Sequence, residues 1–255
     1  MKKSLLILIP LLVFMLVGQH LCTAQKAVID YTEVMKLDID LGDMDPKMKD
    51  MFPSSQSYPK QLKINGTASI YENVKEDNDL SIQQSDGGMD IDIDIKMPQS
   101  YIYTNADKDE RIQYQEFLGR EFLIMDNDKS YKWKILGEQK KVLNYVCQKA
   151  SLMSDGDEVV AWFAPALKYD FGPMGFNGLP GLILALDMDE GRLKVVATNV
   201  ALDVEEDLAI EKPKKGKKVS REEYEQIRDE KLKEMGMNTE GGTAIKMIIE
   251  DDTRN

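Results

Sequence analysis

Phe171-Gly172-Pro173-Met174-Gly175-Phe176-Asn177-Gly178-Leu179-Pro180-Gly181-Leu182-Ile183-Leu184 sets four glycines and two prolines ahead of an apolar run. Proline fixes φ and lacks an N–H, while glycine opens φ > 0, so the first part reads as a shaped turn. Residues 182–186 then read as a short buried strand. The stretch supplies no nucleophile, acid or base, and its spacing is neither a dinucleotide fingerprint nor a phosphate loop. Its content is architectural.

Working outward, the flanking sequence reads as strands. Residues 192–200 pair with 182–187 through a turn at Glu190-Gly191. Upstream, residues 131–136, 143–153 and 158–163 are strand-like, with turns at Gly137 and at Ser154-Asp155-Gly156. Residues 27–41 alternate: Ile29, Tyr31, Met35, Leu37, Ile39 and Leu41 fall on one face, and Asp30, Thr32, Lys36, Asp38 and Asp40 on the other. Residues 42–58 are irregular and 61–72 read as one strand. Met89, Ile91, Ile93 and Ile95 alternate strictly with Asp90, Asp92 and Asp94, and Pro98 ends that run. Residues 101–103, 111–118 and 121–125 follow, the last two flanking Gly119.

Towards the C-terminus, residues 212–218 read as a basic linker. Ser220-Arg221-Glu222-Glu223 is a capping box and Gly236 a stop, so a helix is predicted over 221–235. Its apolar stripe of Tyr224, Ile227, Leu232 and Met235 is narrow, which predicts docking on the surface. Residues 244–250 read as a last strand. Many short strands with one good helix predict a mainly β, antiparallel domain carrying a helical insertion at about 220–235.

Gly178-Leu179-Pro180-Gly181-Leu182-Ile183 spells the signature of the GLPGLI family, exported proteins of Bacteroidota-type bacteria, which this chain resembles. Gly172-Pro173 fits the same pattern, Tyr145-Val146-Cys147-Gln148-Lys149-Ala150 is similar to the family's GYxCxKA element, and Ala161-Trp162-Phe163-Ala164-Pro165 to its AWYTP element. Asn144 stands where the family has glycine, and Phe163-Ala164 replace Tyr-Thr. The resemblance runs from about residue 27 to the helix near 235. Together with the meander of strands it implies a curled sheet or half-barrel like those of periplasmic lipoprotein carriers. The motif labels a family and is silent on activity.

The N-terminus reads as a secretory signal. Lys2-Lys3 precede an apolar core over 5–17, too short to span a bilayer, and Cys22-Thr23-Ala24 predicts cleavage after Ala24. Leu21 is not the small residue that lipidation of Cys22 requires. The expected organisation is a signal peptide at 1–24 and a single β-rich domain at 25–255, periplasmic or secreted. With the signal removed, the net charge of −12 becomes about −14, because Lys2 and Lys3 leave. The only histidine, His20, also leaves, which excludes Ser-His-Asp triads, Cys-His dyads and imidazole metal sites within the mature chain. Cys147 remains alone, so no intrachain disulfide is possible. The acidic balance argues against nucleic acid as a partner, and no second apolar segment approaches membrane-spanning length.

Four constellations are candidates for chemistry. Met44, Met48 and Met51 offer thioethers that suit a soft metal such as Cu(I), or simply fill an adaptable apolar surface. Residues 105–116 fit part of a calcium loop, but Glu110 stands where glycine is needed and the flanks read as strands. Cys147 lies in a strand without a histidine to activate it, and reads as packing. The Asp90, Asp92, Asp94 stripe reads as a solvated strand face. Trp133, Trp162 and Phe176 are expected to wall a cleft. No catalytic residue and no cofactor is predicted. The reading that follows is a non-enzymatic carrier or binding protein for an apolar ligand, a peptide or a cell-envelope protein. Copper handling through the 44–51 loop and a carboxylate-only hydrolase are the alternatives.

Overall fold

The computed structural model describes residues 26–36, 54–74, 80–86, 89–95, 99–125, 131–154 and 156–235. The strands are β1 (Lys26–Lys36), β2 (Ser55–Asn65), β3 (Ala68–Asn73), β4 (Leu80–Asp86), β5 (Met89–Ile95), β6 (Ser100–Asn105), β7 (Glu110–Phe117), β8 (Arg120–Met125), β9 (Lys134–Val142), β10 (Tyr145–Ser154), β11 (Asp157–Ala164), β12 (Leu182–Met188), β13 (Leu193–Leu202) and β14 (Lys217–Val219), followed by helix α1 (Arg221–Glu234). Twelve of them form one sheet in the order β14-β8-β7-β6-β3-β2-β1-β13-β12-β11-β10-β9, and β4 pairs with β5 separately. The sheet is open. Its ladders are antiparallel, except that the short edge strand β14 runs parallel to β8. The mainly β fold with a C-terminal helix is as the alternation and capping box predict.

Local chemistry moved some boundaries. The run 61–72 is two strands, because Gly66-Thr67 makes a two-residue hairpin turn between the paired Asn65 and Ala68, with Gly66 at φ 60°. β2 begins at Ser55, inside the stretch expected to be irregular, since it pairs with β1 from Lys36↔Ser55 onward. Gly137 is not a turn. It lies within β9, where the register with β10 slips between Gln148 and Ala150, and Gln148 Nε2 donates to Leu136 O at 3.0 Å. The expected basic linker ends in β14. Residues 244–250 lie outside the described residues.

β12 is buried at every position from Leu182 to Leu186, so it must be covered on both faces. The loop over 165–181 provides one cover. Leu167, Tyr169 and Phe171 are buried in it, while Ala166, Lys168 and Asp170 are exposed. The ladder between β12 and β13 spans only Ala185 to Met188. Beyond it the loop substitutes for β13: Ile183 N donates to Phe171 O at 3.0 Å. Tyr31 of β1 donates its hydroxyl to Ile183 O at 2.7 Å. Both polar groups of a fully buried backbone unit are thus satisfied, as burial demands. The loop also reaches β7, where Arg111 Nη2 donates to Met174 O at 3.1 Å. It therefore ties together strands from the two halves of the sheet order.

Two glycines permit this closeness. A Cβ on Gly172 would sit 2.7 Å from the Ile183 Cβ. At Gly181, with φ 150°, a Cβ would fall 2.3 Å from Ala164 O and 2.9 Å from Pro165 Cα, both backbone atoms. Gly181→Ala is therefore expected to cost about 2–4 kcal/mol through strain and clash. Gly119→Ala, at φ 70° with nothing within 4 Å, should cost only about 1–2 kcal/mol. Leu179, buried to 2 % exposure, should cost about 2–5 kcal/mol when cut to alanine. Thermal melts of the three variants check this order. A Gly181→Ala protein melting like wild type would remove the packing role of the motif.

Candidate functional site

The sequence-predicted residues separate in space. Gly172, Pro173, Leu179, Gly181, Leu182 and Ile183 are buried in or under the 165–181 loop, while Gly178 and Pro180 reach solvent. Asp170 accepts a hydrogen bond from Gly178 N, which holds the turn. Trp133 and Phe176 come together: with Tyr131 they form one aromatic cluster, with centroids 5.9 Å apart for Trp133–Phe176 and 4.8 Å for Tyr131–Phe176. Trp133 Nε1 donates to Asn177 O at 2.7 Å, so this ring clamps the loop. Trp162 lies elsewhere, on β11, under the Lys140 ammonium at 4.3 Å. Met44, Met48 and Met51 lie outside the described residues.

Residues 105–116 form a β6–β7 hairpin around a short 3-10 turn (Ala106–Lys108), so the strands expected on either side of the loop are present. β5 carries Asp90, Asp92 and Asp94 opposite Ser85, Gln83 and Ser81 of β4. Cys147 is fully buried, its Sγ 3.7 Å from Tyr145 O. Burial pushes the thiol above its ordinary range, which suits packing rather than attack. Among the described residues no group of three or more His, Cys, Asp or Glu side chains could hold a metal ion. Nor, among the described residues, is any helix long and apolar enough to cross a membrane.

A second cluster spans β1–β3. Tyr31 and Tyr71 pack edge to face, their centroids 6.1 Å apart. Tyr71 donates its hydroxyl to Glu33 Oε2 at 3.1 Å. Lys60 lies 6.0 Å from the Tyr71 ring centre and donates to Asn73. Burial pulls the Lys60 ammonium below its usual range, and the Glu33 carboxylate opposes that. Burial pushes both phenols well above theirs. For Tyr71 the neighbouring Glu33 carboxylate adds to the rise.

The third feature is a groove, of about 470 Å³, where the helix meets the sheet edge. Helix α1 is anchored by Tyr224, which packs edge to face on Phe122 at 5.4 Å and on Phe117 at 6.4 Å. Arg221 Nη2 donates to Gln113 Oε1 at 3.1 Å. Further along the helix, Ile227 packs beside Tyr224 against the same cluster, and Glu230 and Lys231 reach the rim of an open space beside β8. This space is lined by Arg120, Glu121, Phe122, Gly216, Lys217, Ile227, Glu230 and Lys231. A smaller cavity, of about 240 Å³, adjoins it and adds Phe117 and Leu118. Leu118 is 55 % exposed at the tip of the β7–β8 hairpin, and is held there at φ 49°. The helix stripe signalled Ile227. Nothing in the sequence signalled Arg120 or Leu118.

No family model and no curated protein matches the chain. Two solved structures of PNGF-II, in the P21 and C2 space groups, are similar in fold, each with a TM-score of 0.52. They are 19 % and 18 % identical over 80 % of this chain. The chain spans about a third of the PNGF-II chain, 33 % and 32 % in the two forms.

The tyrosine cluster makes alkaline stability a test of the packing. Below the ordinary phenol value of 10.0, Tyr31 and Tyr71 are protonated in folded and unfolded chain alike and add no pH dependence. Above it the unfolded chain releases protons that the folded chain keeps. The stabilisation is then lost as pH rises towards the folded values, by up to about 1.4 kcal/mol per pH unit for each phenol. Urea midpoints measured from about pH 8 to 11 should be flat and then fall. Tyr31→Phe should lose about 1–3 kcal/mol throughout, because Ile183 O loses its donor, and should show a shallower alkaline fall. An unchanged alkaline limb in that variant would contradict the burial of Tyr31.

Proposed function

We propose that this is an exported, non-enzymatic binding protein of the GLPGLI family, cleaved after Ala24, which holds an apolar ligand in the groove between α1 and the β7–β8 hairpin. The observation that carries the reading is the groove itself. Phe122 and Ile227 present apolar surface in a concavity of about 470 Å³, and Phe117 and Leu118 join them in a second of about 240 Å³ beside it. That size falls within the range of about 300–1,000 Å³ usual for small-molecule sites. The inner face of the sheet is a poorer candidate. There the 165–181 loop and the Tyr131, Trp133, Phe176 cluster pack the protein's own side chains into the core.

The reading also accounts for the motif. A loop that packs the core and closes the buried strand frees the outer edge of the sheet for binding. The likeness to a third of PNGF-II supports a fold that also occurs within a longer chain.

Titration with Nile red, a neutral apolar dye, tests the reading. Wild-type protein should bind it with enhanced, blue-shifted emission. Ile227→Glu, a half-buried position, should weaken binding about tenfold or more, because the carboxylate must be desolvated. Trp133→Ala should lower the melting temperature and leave dye affinity unchanged. Retained binding in Ile227→Glu with loss in Trp133→Ala would move the site to the aromatic cluster.

A further inference from the structure

Resting on that reading of the groove, we infer that its ligand is a single-chain amphiphile with an anionic head, read by Arg120 and Lys217. The charges around the groove differ from those of the whole chain. The protein carries a formal net charge of −12, yet three cations, Arg120, Lys217 and Lys231, line this one concavity. Lys231 is engaged by Glu234. Of the two acidic lining residues, Glu121 is engaged by Lys215 at 3.5 Å and by the Tyr114 hydroxyl at 3.2 Å, and Glu230 is exposed on the helix rim. Among the described residues Arg120 and Lys217 have no carboxylate partner. They are also placed together. Lys217 is the register partner of Phe122 in the parallel β14–β8 pair, and Arg120 lies two residues before Phe122 on the same strand. By the two-residue period, all three side chains share the face that carries α1. Two free cations thus bracket the apolar floor at Phe122.

The rest of the lining selects the body of the ligand. Besides the charged heads, the walls of both cavities are Phe117, Leu118, Phe122, Gly216 and Ile227. No side-chain amide or hydroxyl lines either one. A peptide laid in this groove would bring backbone N–H and C=O groups to walls with no neutral polar side chain to meet them, at a cost in desolvation. An alkyl chain asks for nothing but apolar contact. An anionic head then meets the guanidinium of Arg120 and the ammonium of Lys217 through charge-assisted hydrogen bonds, which are stronger than neutral ones.

Calorimetric titration below the critical micelle concentration separates head from tail. The probes are dodecanoate and dodecyl phosphate, against 1-dodecanoylglycerol with the same chain and a neutral head. Both anions should bind about tenfold more tightly than the neutral ester. The double variant R120Q/K217Q should lose that preference, keep the affinity for the neutral ester, and melt like wild type because both side chains are exposed. Equal affinity for anionic and neutral probes, or a preference that survives the double variant, would overturn the anionic head and leave the groove as an apolar site. Binding of none of the three would overturn both readings. A concentration-dependent dimer in sedimentation that Phe122→Glu abolishes would assign the groove to a second copy of the chain and overturn them as well.

Discussion

The contact between Gly181 and the end of β11 is the constraint on which the rest depends. The chain leaves β11 at Ala164, loops out over 165–181, and returns so closely that only hydrogen fits at the Gly181 α-carbon opposite Ala164 O. Leu167 N donates back to Ala164 O at 3.0 Å and Leu182 N to Leu167 O at 3.0 Å, so the neck of the loop is closed by its own backbone. Closing it there delivers Leu182 to Leu186 into the core and lays Phe171 beside Ile183, where β13 no longer reaches. Tyr31 completes the pairing from a strand that is not a ladder neighbour of β12. One backbone approach thus determines how the loop packs, which residues it buries and how the strand's polar groups are met.

A core filled in this way has consequences at the sheet edge. The clamped loop joins β12 to Arg111 on β7, and the aromatic cluster of Tyr131, Trp133 and Phe176 seals its flank. Towards the other edge, α1 packs on the sheet through Tyr224 and Ile227. Beyond these contacts a groove remains between the helix and β8, lined by Phe122, Ile227 and Lys231. Gly216 contributes too: its α-carbon lies against the Glu121 and Phe122 backbone, where a Cβ would be 3.2 Å away, so β14 can enter alongside β8. The proposed groove lies at the β14–β8 edge of the strand order, whereas the motif leads into β12 in its other half.

Much of the fold was legible because it is local. Alternation over 27–35, turn residues at Gly119 and Glu190-Gly191, and the Ser220–Glu223 box each act within a few residues, and each appears where expected. The turn at Gly66-Thr67 was equally local, and was obscured by the strand-like alternation on both sides of it. The candidate site was hardly legible, for a physical reason. Phe122, Lys217 and Ile227 are brought together by a parallel pairing of three residues and one aromatic contact, and no period or spacing in the sequence encodes either. Likewise the glycines announced a turn, but not that its role was to press against Ala164 and Ile183. Trp133 and Phe176 met as a packing cluster, while Trp162 was drawn to Lys140 by its position on β11.

Native-state hydrogen exchange with and without bound amphiphile tests most directly the separation of a structural motif from a binding edge. The amides of Leu182 and Ile183, bonded to Leu167 O and Phe171 O, should exchange only through global unfolding, with free energies near the full stability of the domain. Ligand should add no local protection there, whereas the amides of β14 and of the first turns of α1 should slow when the groove is filled. Fast local exchange at Leu182 and Ile183, or ligand protection centred on them with none at β14, would contradict this account and make the motif itself the contact surface.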